Sequence, residues 1–206
     1  MTEKRWPNYD ELPRFDPIGM NHAWGVFGAE DEVGTINLLS PAVVLAATAE
    51  IVRGQTFNLS LPLDRPRPRR GDSRSPYRHH VFSIDRNTQD DVIDNLYMQA
   101  STQWDALRHV RAREFGFYNG VSAEAAGPNG TGLGIDRWAS GIVGRGVLVD
   151  IVRHLEQSQH ALRPDEGFAI SPELIEETLQ AQSCTLREGD ILSHQLLVAN
   201  ATRPAG

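Results

Sequence analysis

The clearest helical pattern in the chain follows a Ser-Pro pair near position 40. Ser40 can accept a free N–H of a first helical turn, and Pro41 fits the next position because no backbone N–H needs a partner there. Gly54 offers a left-handed stop. Between them, apolar-facing positions recur at helical spacing: Val44, Leu45, Thr48, Ile51 and Val52. The pattern predicts a helix over residues 41–53.

Alternating and continuous apolar runs predict three strands. Residues 57–63 alternate Phe or Leu with polar residues or proline, which predicts a half-buried strand. Strands are also predicted at 81–84 and 146–152, and the latter is apolar enough to be buried on both faces. Ser171 and Pro172 open another helix, and a turn at 187–190 leads into an extended stretch at 191–192. Strands interleaved with helices predict a layered α/β domain.

Composition and charge narrow the classes of function that the chain can have. The 206 residues suffice for one domain or two small ones, and 20 basic against 27 acidic side chains give a net charge of −7. This charge argues against general nucleic-acid binding, so the arginine-rich segment 65–78 is interpreted as a solvated, proline-stiffened loop. Cys184 is the one cysteine, which excludes an internal disulfide, and no membrane span or signal peptide is recognised. We therefore expect a cytoplasmic protein without membrane or nucleic-acid partners.

Residues 97–110 carry the candidate chemistry. In an extended strand Gln99, Gln103 and Asp105 would share one face, and Trp104 would lie on the other. From the residue types alone, solvent exposure of the polar face explains this pattern. His109 lies four residues after Asp105, so one helical turn could bring its imidazole beside the carboxylate. Such a pair can ligate a metal or transfer a proton.

The same segment resembles a known family motif. Gln-Ala-Ser-Thr-Gln-Trp-Asp-Ala-Leu-Arg-His at 99–109 stands where the cyclase family of metal-dependent hydrolases, which includes bacterial kynurenine formamidases and isatin hydrolases, has His-x-Gly-Thr-His-x-Asp, three residues and His. Further blocks are similar to a long-chain branch of that family, at 23–25, 34–39, 117–120, 144–150 and 188–192.

The resemblance implies a swivelling β/β/α layered domain that hydrolyses a small amide or cyclic amide, of the arylformamidase type found in tryptophan catabolism. It implies a divalent cofactor, Zn or Mn, that activates water. Asp105 then corresponds to a metal ligand and His109 to the catalytic proton-transfer residue. A small-molecule substrate is the expected partner, with a homodimer as the expected assembly. Substrate contacts are expected from these four residues: Trp24, Trp104, Tyr118 and Asn119.

Gln99 and Gln103 occupy the places of the two motif histidines, which is the first departure. A neutral amide oxygen is a harder and weaker donor than imidazole and suits zinc poorly. Three outcomes stay open: a weaker site for manganese or magnesium in which both glutamines are ligands, a site with other ligands, or a metal-free pocket where they hydrogen-bond substrate.

The second departure is at the C-terminal side, where residues after Leu192 do not resemble the family continuation. We expect an irregular arm at 1–32, a cyclase-like domain at 33–192 that lacks the last third of the fold, and a divergent tail at 193–206. The alternative function is therefore an inactive family member that at most binds a small molecule or a partner.

Overall fold

Regular structure in this chain consists of short elements. The computed structural model describes residues 5–65, 74–130, 132–158 and 167–194. The α-helices in these ranges are α1 (Pro41–Ala47), α2 (Ile151–Gln157) and α3 (Pro172–Ala181). The strands are β1 (Arg14–Phe15), β2 (Met20–Asn21), β3 (Arg78–Ser83), β4 (Gln89–Asp94), β5 (Gly146–Val149) and β6 (Ile191–His194). Short 3₁₀-helices include Gly34–Leu38, Thr48–Glu50, Met98–Ala100, Tyr118–Gly120 and Ile135–Trp138.

Helix α1 begins where its cap predicts and ends earlier. The Ser40 hydroxyl accepts the Val43 N–H at 3.3 Å, and Pro41 is the first helical residue. The α-helix ends at Ala47 and continues only as the 3₁₀ turn Thr48–Glu50, so the predicted extent of 41–53 is wrong. Val52 is 87% exposed because it lies beyond the helix and cannot join an apolar stripe.

The predicted strand at 57–63 is absent: residues 57–62 have no regular structure and residue 63 begins a turn. Its alternation does not reflect one-sided burial, since Phe57 is 77% and Leu59 is 87% exposed. Its backbone bonds instead to side chains of the candidate motif. Leu61 N–H donates to Thr102 Oγ1 at 2.9 Å, and Ser101 Oγ donates to the Pro62 carbonyl at 2.9 Å.

Strands β3 and β4 form an antiparallel hairpin that confirms the extended stretch predicted around 81–84, although β3 runs from Arg78 to Ser83. Strand β4 was not predicted from the sequence. Both faces of the hairpin are largely exposed, including Val81 and Phe82. The arginine-rich segment lies mostly at 66–73, outside the described residues.

The core forms around the parallel pair β5 and β6, aligned from Gly146–Ile191 to Val149–His194. The predicted strand 146–152 ends early because the Asp150 carboxylate accepts the Arg153 N–H at 3.1 Å and caps α2. Burial on both faces is also wrong, since Leu148 is 54% exposed between buried Val147 and Val149. The buried cluster is Val147, Val149, Ile151, Leu155 and Leu179, with Ile170, Leu174, Ile175 and Cys184 packed against it.

Helix α3 confirms the Ser-Pro prediction. The Ser171 hydroxyl accepts the Leu174 N–H at 3.2 Å, and Leu174, Ile175 and Leu179 face the core. The turn at 187–190 leads into β6, as predicted, and β6 continues two residues beyond position 192.

The described part of the N-terminal arm contains the short antiparallel pair β1 and β2 and is held by aromatic contacts. Phe15 stacks on Phe115 with ring centroids 4.5 Å apart and meets Trp24 edge-on at 4.7 Å. Trp6 Nε1 donates to Glu188 Oε1 at 3.0 Å. The arm is thereby attached to segments more than 90 residues later in the chain.

Candidate functional site

Residues 98–109 do not form the expected strand, yet they bring the candidate residues to one cleft. Met98–Ala100 is a 3₁₀ turn, residues 101–102 bend, and 103–106 continue without regular pairing. Gln99, Gln103, Trp104, Asp105 and His109 all line a cleft of about 820 Å³. The expectation that Trp104 lies on the opposite face from Gln99, Gln103 and Asp105 is therefore wrong, because turns at both ends of the segment replace the strand.

Asp105 and His109 meet as predicted. His109 Nε2 lies 3.8 Å from Asp105 Oδ1, an ion-pair distance rather than a hydrogen bond. A turn produces this approach, with His109 N–H donating to the Ala106 carbonyl at 2.9 Å. Gln103 Nε2 donates to Asp105 Oδ2 at 3.2 Å and so engages the second carboxylate oxygen. The Asp105 and His109 side chains are each about 40% exposed, so a ligand can reach them from solvent.

The remaining wall of the cleft is mainly apolar and aromatic, with one cation. Its other lining residues are Thr102, Ala106 and Arg108 of the motif and, outside it, Met98, Ile135, Trp138 and Ile142. Arg108 is held by its backbone N–H to the Leu133 carbonyl at 3.3 Å and by Nη1 to the Gly130 carbonyl at 3.3 Å. Leu133 is fully buried and anchors this wall.

Trp24, Tyr118 and Asn119 do not line the cleft. Asn119 instead holds the loop 25–31: its Oδ1 accepts the Gly25 N–H at 2.9 Å, and its Nδ2 donates to backbone carbonyls of Gly28, Ala29 and Asp31. Trp24 packs beside the adjacent Gly120. Substrate contact by these three residues stays a prediction.

Tyr118 donates its hydroxyl to Asp31 Oδ2 at 3.0 Å. Partial burial raises the pKa of Asp31, but hydrogen bonds from Gly34 N–H, Asn37, Tyr118 and Val33 N–H outweigh burial and hold that pKa below its usual value. Burial first, and then the bond to Asp31, raises the pKa of Tyr118. The phenol stays protonated and the carboxylate charged, so the bond persists at neutral pH.

Comparison with known proteins connects this cleft to a family. The sequence model of the Cyclase family matches residues 57–196, which include the whole cleft motif. The chain belongs to the Cyclase family. A solved structure described as a novel cyclase is 35% identical, with a TM-score of 0.69 over 84% of this chain and 61% of its own length. Curated proteins give no match.

This cyclase-family chain therefore spans about 61% of the length of its structural relative. The likeness confirms a mixed helix and strand fold with small sheets. Among the described residues, no helix has both the length and the hydropathy that crossing a bilayer requires.

The donor set of the cyclase cleft decides which cation it suits. In the described ranges no group of three or more His, Cys, Asp or Glu side chains could hold a metal ion. The cleft offers the Asp105 carboxylate, the His109 imidazole and the amides of Gln99 and Gln103. Zinc sites use three or four strong nitrogen, sulfur or carboxylate donors, whereas carboxylate and amide oxygens suit harder cations. By donor chemistry alone, Asp105, Gln99 and Gln103 suit a hard cation such as Mn²⁺ better than Zn²⁺.

An ion-pair network near the start of β5 and β6 was missed by sequence reasoning. Arg145, which is 15% exposed, binds Asp190 at 3.0 Å and Glu50 at 3.5 Å. Its Nη2 also lies 3.6 Å from Cys184 Sγ, a contact between residues 39 positions apart. No local signal reveals this network because Arg145 and Asp190 are 45 positions apart.

Proposed function

We propose that this cyclase-family protein hydrolyses the C–N bond of a small amide or cyclic amide, of the arylformamidase type. The observation that carries the proposal is the approach of His109 to Asp105 in a cleft lined by polar amides and aromatic rings. A carboxylate and imidazole pair at a concave, partly apolar site can transfer a proton at a bound amide.

In the proposed reaction His109 Nε2 takes a proton from the attacking water and returns it to the leaving nitrogen. The products are a carboxylic acid and an amine, which balances one water added across the C–N bond. Asp105 stabilises the imidazolium that forms between the two transfers, and Gln103 keeps the Asp105 carboxylate in place through its amide N–H. In the metal-free alternative, Gln99 and the free oxygen of the Gln103 amide would instead hydrogen-bond the substrate amide.

A resident Mn²⁺ is part of the proposal. Asp105 and the amide oxygens of Gln99 and Gln103 would hold it, with His109 left free for proton transfer, and it would supply Lewis-acid activation of the carbonyl when bound. Because neutral amide oxygens are weaker donors than imidazole, we expect weaker retention than at a three-histidine site.

The decisive experiment assays hydrolysis of N-formylkynurenine and formanilide with Mn²⁺ present. We expect His109→Gln to lower kcat by about 10²–10⁴-fold, the contribution of a general acid–base group. His79→Gln is the matched control, because His79 pairs with Asp91 on the β3–β4 hairpin, away from the cleft. Absence of hydrolysis by the unaltered protein, or full activity of His109→Gln, would overturn the proposal.

A second candidate is binding without catalysis, and the exposed apolar side chains favour it. Large hydrophobic residues are exposed in 51–63 and on the hairpin, among them Val52, Phe57, Leu59, Val81 and Phe82. Surfaces of this kind commonly mark association sites. A dimer by light scattering, with dye binding that falls on association and no hydrolysis, is the outcome that supports this candidate. A compact monomer that does not bind the dye contradicts it.

A further inference from the structure

The edge of β5 that faces away from β6 is exposed. The Ile191 N–H donates to the Arg145 carbonyl at 2.9 Å, so the backbone groups of residues 145, 147 and 149 point towards β6. The backbone groups of residues 146 and 148 therefore point to the opposite edge, where Gly146 and Leu148 are exposed. An exposed row of N–H and C=O groups is a template on which a further strand can pair.

A side chain already occupies part of this edge. Gln182, directly after α3, donates from Nε2 to the Leu148 carbonyl at 2.7 Å, and its Oε1 accepts the Asp150 N–H at 2.8 Å. In a parallel pair of strands, one residue bonds a carbonyl of its neighbour and the N–H two residues later. The Gln182 amide thus makes the two hydrogen bonds that one residue of a third, parallel strand would make.

A groove of about 470 Å³ lies beside this edge. Leu148 gives it an exposed aliphatic side chain, and α2 contributes Arg153, His154 and Gln157. Among the described residues, none lines both this groove and the candidate active-site cleft. The groove is therefore a feature separate from the site of the proposed reaction.

The charges of the groove favour an acidic occupant. Within the described ranges, the Arg153 guanidinium forms no ion pair. The Asp150 carboxylate is already engaged, because its Oδ1 accepts the Arg153 N–H at 3.1 Å. A carboxylate that enters the groove can form a charge-assisted hydrogen bond with the guanidinium. The groove therefore suits an extended segment that carries Asp or Glu.

We propose that the free edge of β5 is a docking site for an extended, acidic peptide segment of a partner protein, and that Gln182 occupies this site until the segment binds. Docking moves the Gln182 amide away from β5. The backbone of the segment then bonds Leu148 and Asp150 in its place, and a carboxylate of the segment meets Arg153. This is recognition by strand addition. It does not depend on the proposed function.

Fluorescence polarisation with a labelled peptide, acetyl-Thr-Val-Glu-Val-Glu-amide, tests the proposal on the whole chain. Gln182→Ala should bind the peptide about tenfold more tightly than the unaltered protein, because the peptide no longer displaces two hydrogen bonds. Arg153→Gln should weaken binding about fivefold, since a charge-assisted bond is lost. Gln180→Ala is the matched control, because Gln180 is exposed on α3 and does not line the groove. Circular dichroism of each variant confirms that it is folded.

Two further peptides separate strand addition from other modes of binding. A peptide with lysine in place of both glutamates should bind more weakly, and a peptide with every backbone nitrogen methylated should not bind, because it cannot donate to β5. The proposal is overturned if neither the unaltered protein nor Gln182→Ala binds the acidic peptide, or if either altered peptide binds equally well. Self-association of Gln182→Ala in sedimentation velocity, without peptide binding, also overturns it, because the edge would then accept a second copy of the chain.

Discussion

Asn119 gives a sharp test of whether a residue of the family-like block at 117–120 binds substrate or holds the fold. Its side chain bonds four backbone groups of the loop 25–31, and its backbone has φ +56° in the left-handed region. We compare Asn119→Ala, which removes both the hydrogen bonds and a residue type that tolerates this conformation, with Asn119→Gly, which removes only the hydrogen bonds.

The expected magnitudes follow from these contacts. One amide supplies two donors and an acceptor, each worth about 1 kcal/mol net, and partial solvent access lowers their sum to about 2 kcal/mol. A left-handed alanine adds about 1 kcal/mol. The free energy of unfolding should therefore fall by about 2 kcal/mol in Asn119→Gly and about 3 kcal/mol in Asn119→Ala, and the latter should lower Tm by roughly 6–12 °C.

Urea unfolding followed by tryptophan fluorescence measures both values, with an unchanged m-value as the check on two-state behaviour. KM for formanilide in the folded variants supplies the second readout. A stability loss below about 0.5 kcal/mol in Asn119→Ala, or equal losses in the two variants, would refute the structural role. A raised KM with intact stability would instead support substrate contact.

Three further predictions concern stability. The pKa of Asp31 is lower in the folded protein than its unfolded value of about 3.9. Its contribution to the free energy of unfolding is therefore present above that pH and is lost as the pH falls through the folded pKa. We expect the Tm of Asp31→Asn to depend less on pH between 5 and 3 than the Tm of the unaltered protein. Arg145→Met leaves the Asp190 carboxylate, 7% exposed, without its cation and should cost about 3 kcal/mol in urea unfolding, whereas Arg187→Met, at an exposed pair, should cost under about 1 kcal/mol. Leu133→Ala empties a fully buried position and should cost about 3 kcal/mol by the same measurement, against almost none for Leu45→Ala.

The parts of the fold that sequence predicts correctly are those with local causes. Ser40 and Ser171 each bond an N–H three residues later, so the helix starts are determined within one turn. Asp150 carried the same kind of signal, but the apolar run around it favoured a longer strand. The alternation at 57–63 misled because a strand needs a partner strand, and no local pattern shows whether one is available.

The candidate site likewise has a part that local sequence predicts and a part that it does not. Asp105 and His109 are four positions apart, so a single turn brings them together and sequence spacing anticipates it. The walls contributed by Ile135, Trp138 and Ile142 come from a separate segment with no spacing relation to the motif. The Asn119-Gly120 pair is a turn signal, yet its bonds to the loop 25–31 span about 90 positions and leave no mark on the local sequence.

The parallel alignment of β5 and β6 has a consequence for synthesis on the ribosome. Gly146 pairs with Ile191, so β5 cannot pair until β6, 45 positions later along the chain, has been synthesised. At about 5–20 residues per second this delay is roughly 2–9 s. During that time Val147 and Val149 have no strand beside them, and the nascent chain offers an unpaired apolar edge to chaperones or to other nascent chains.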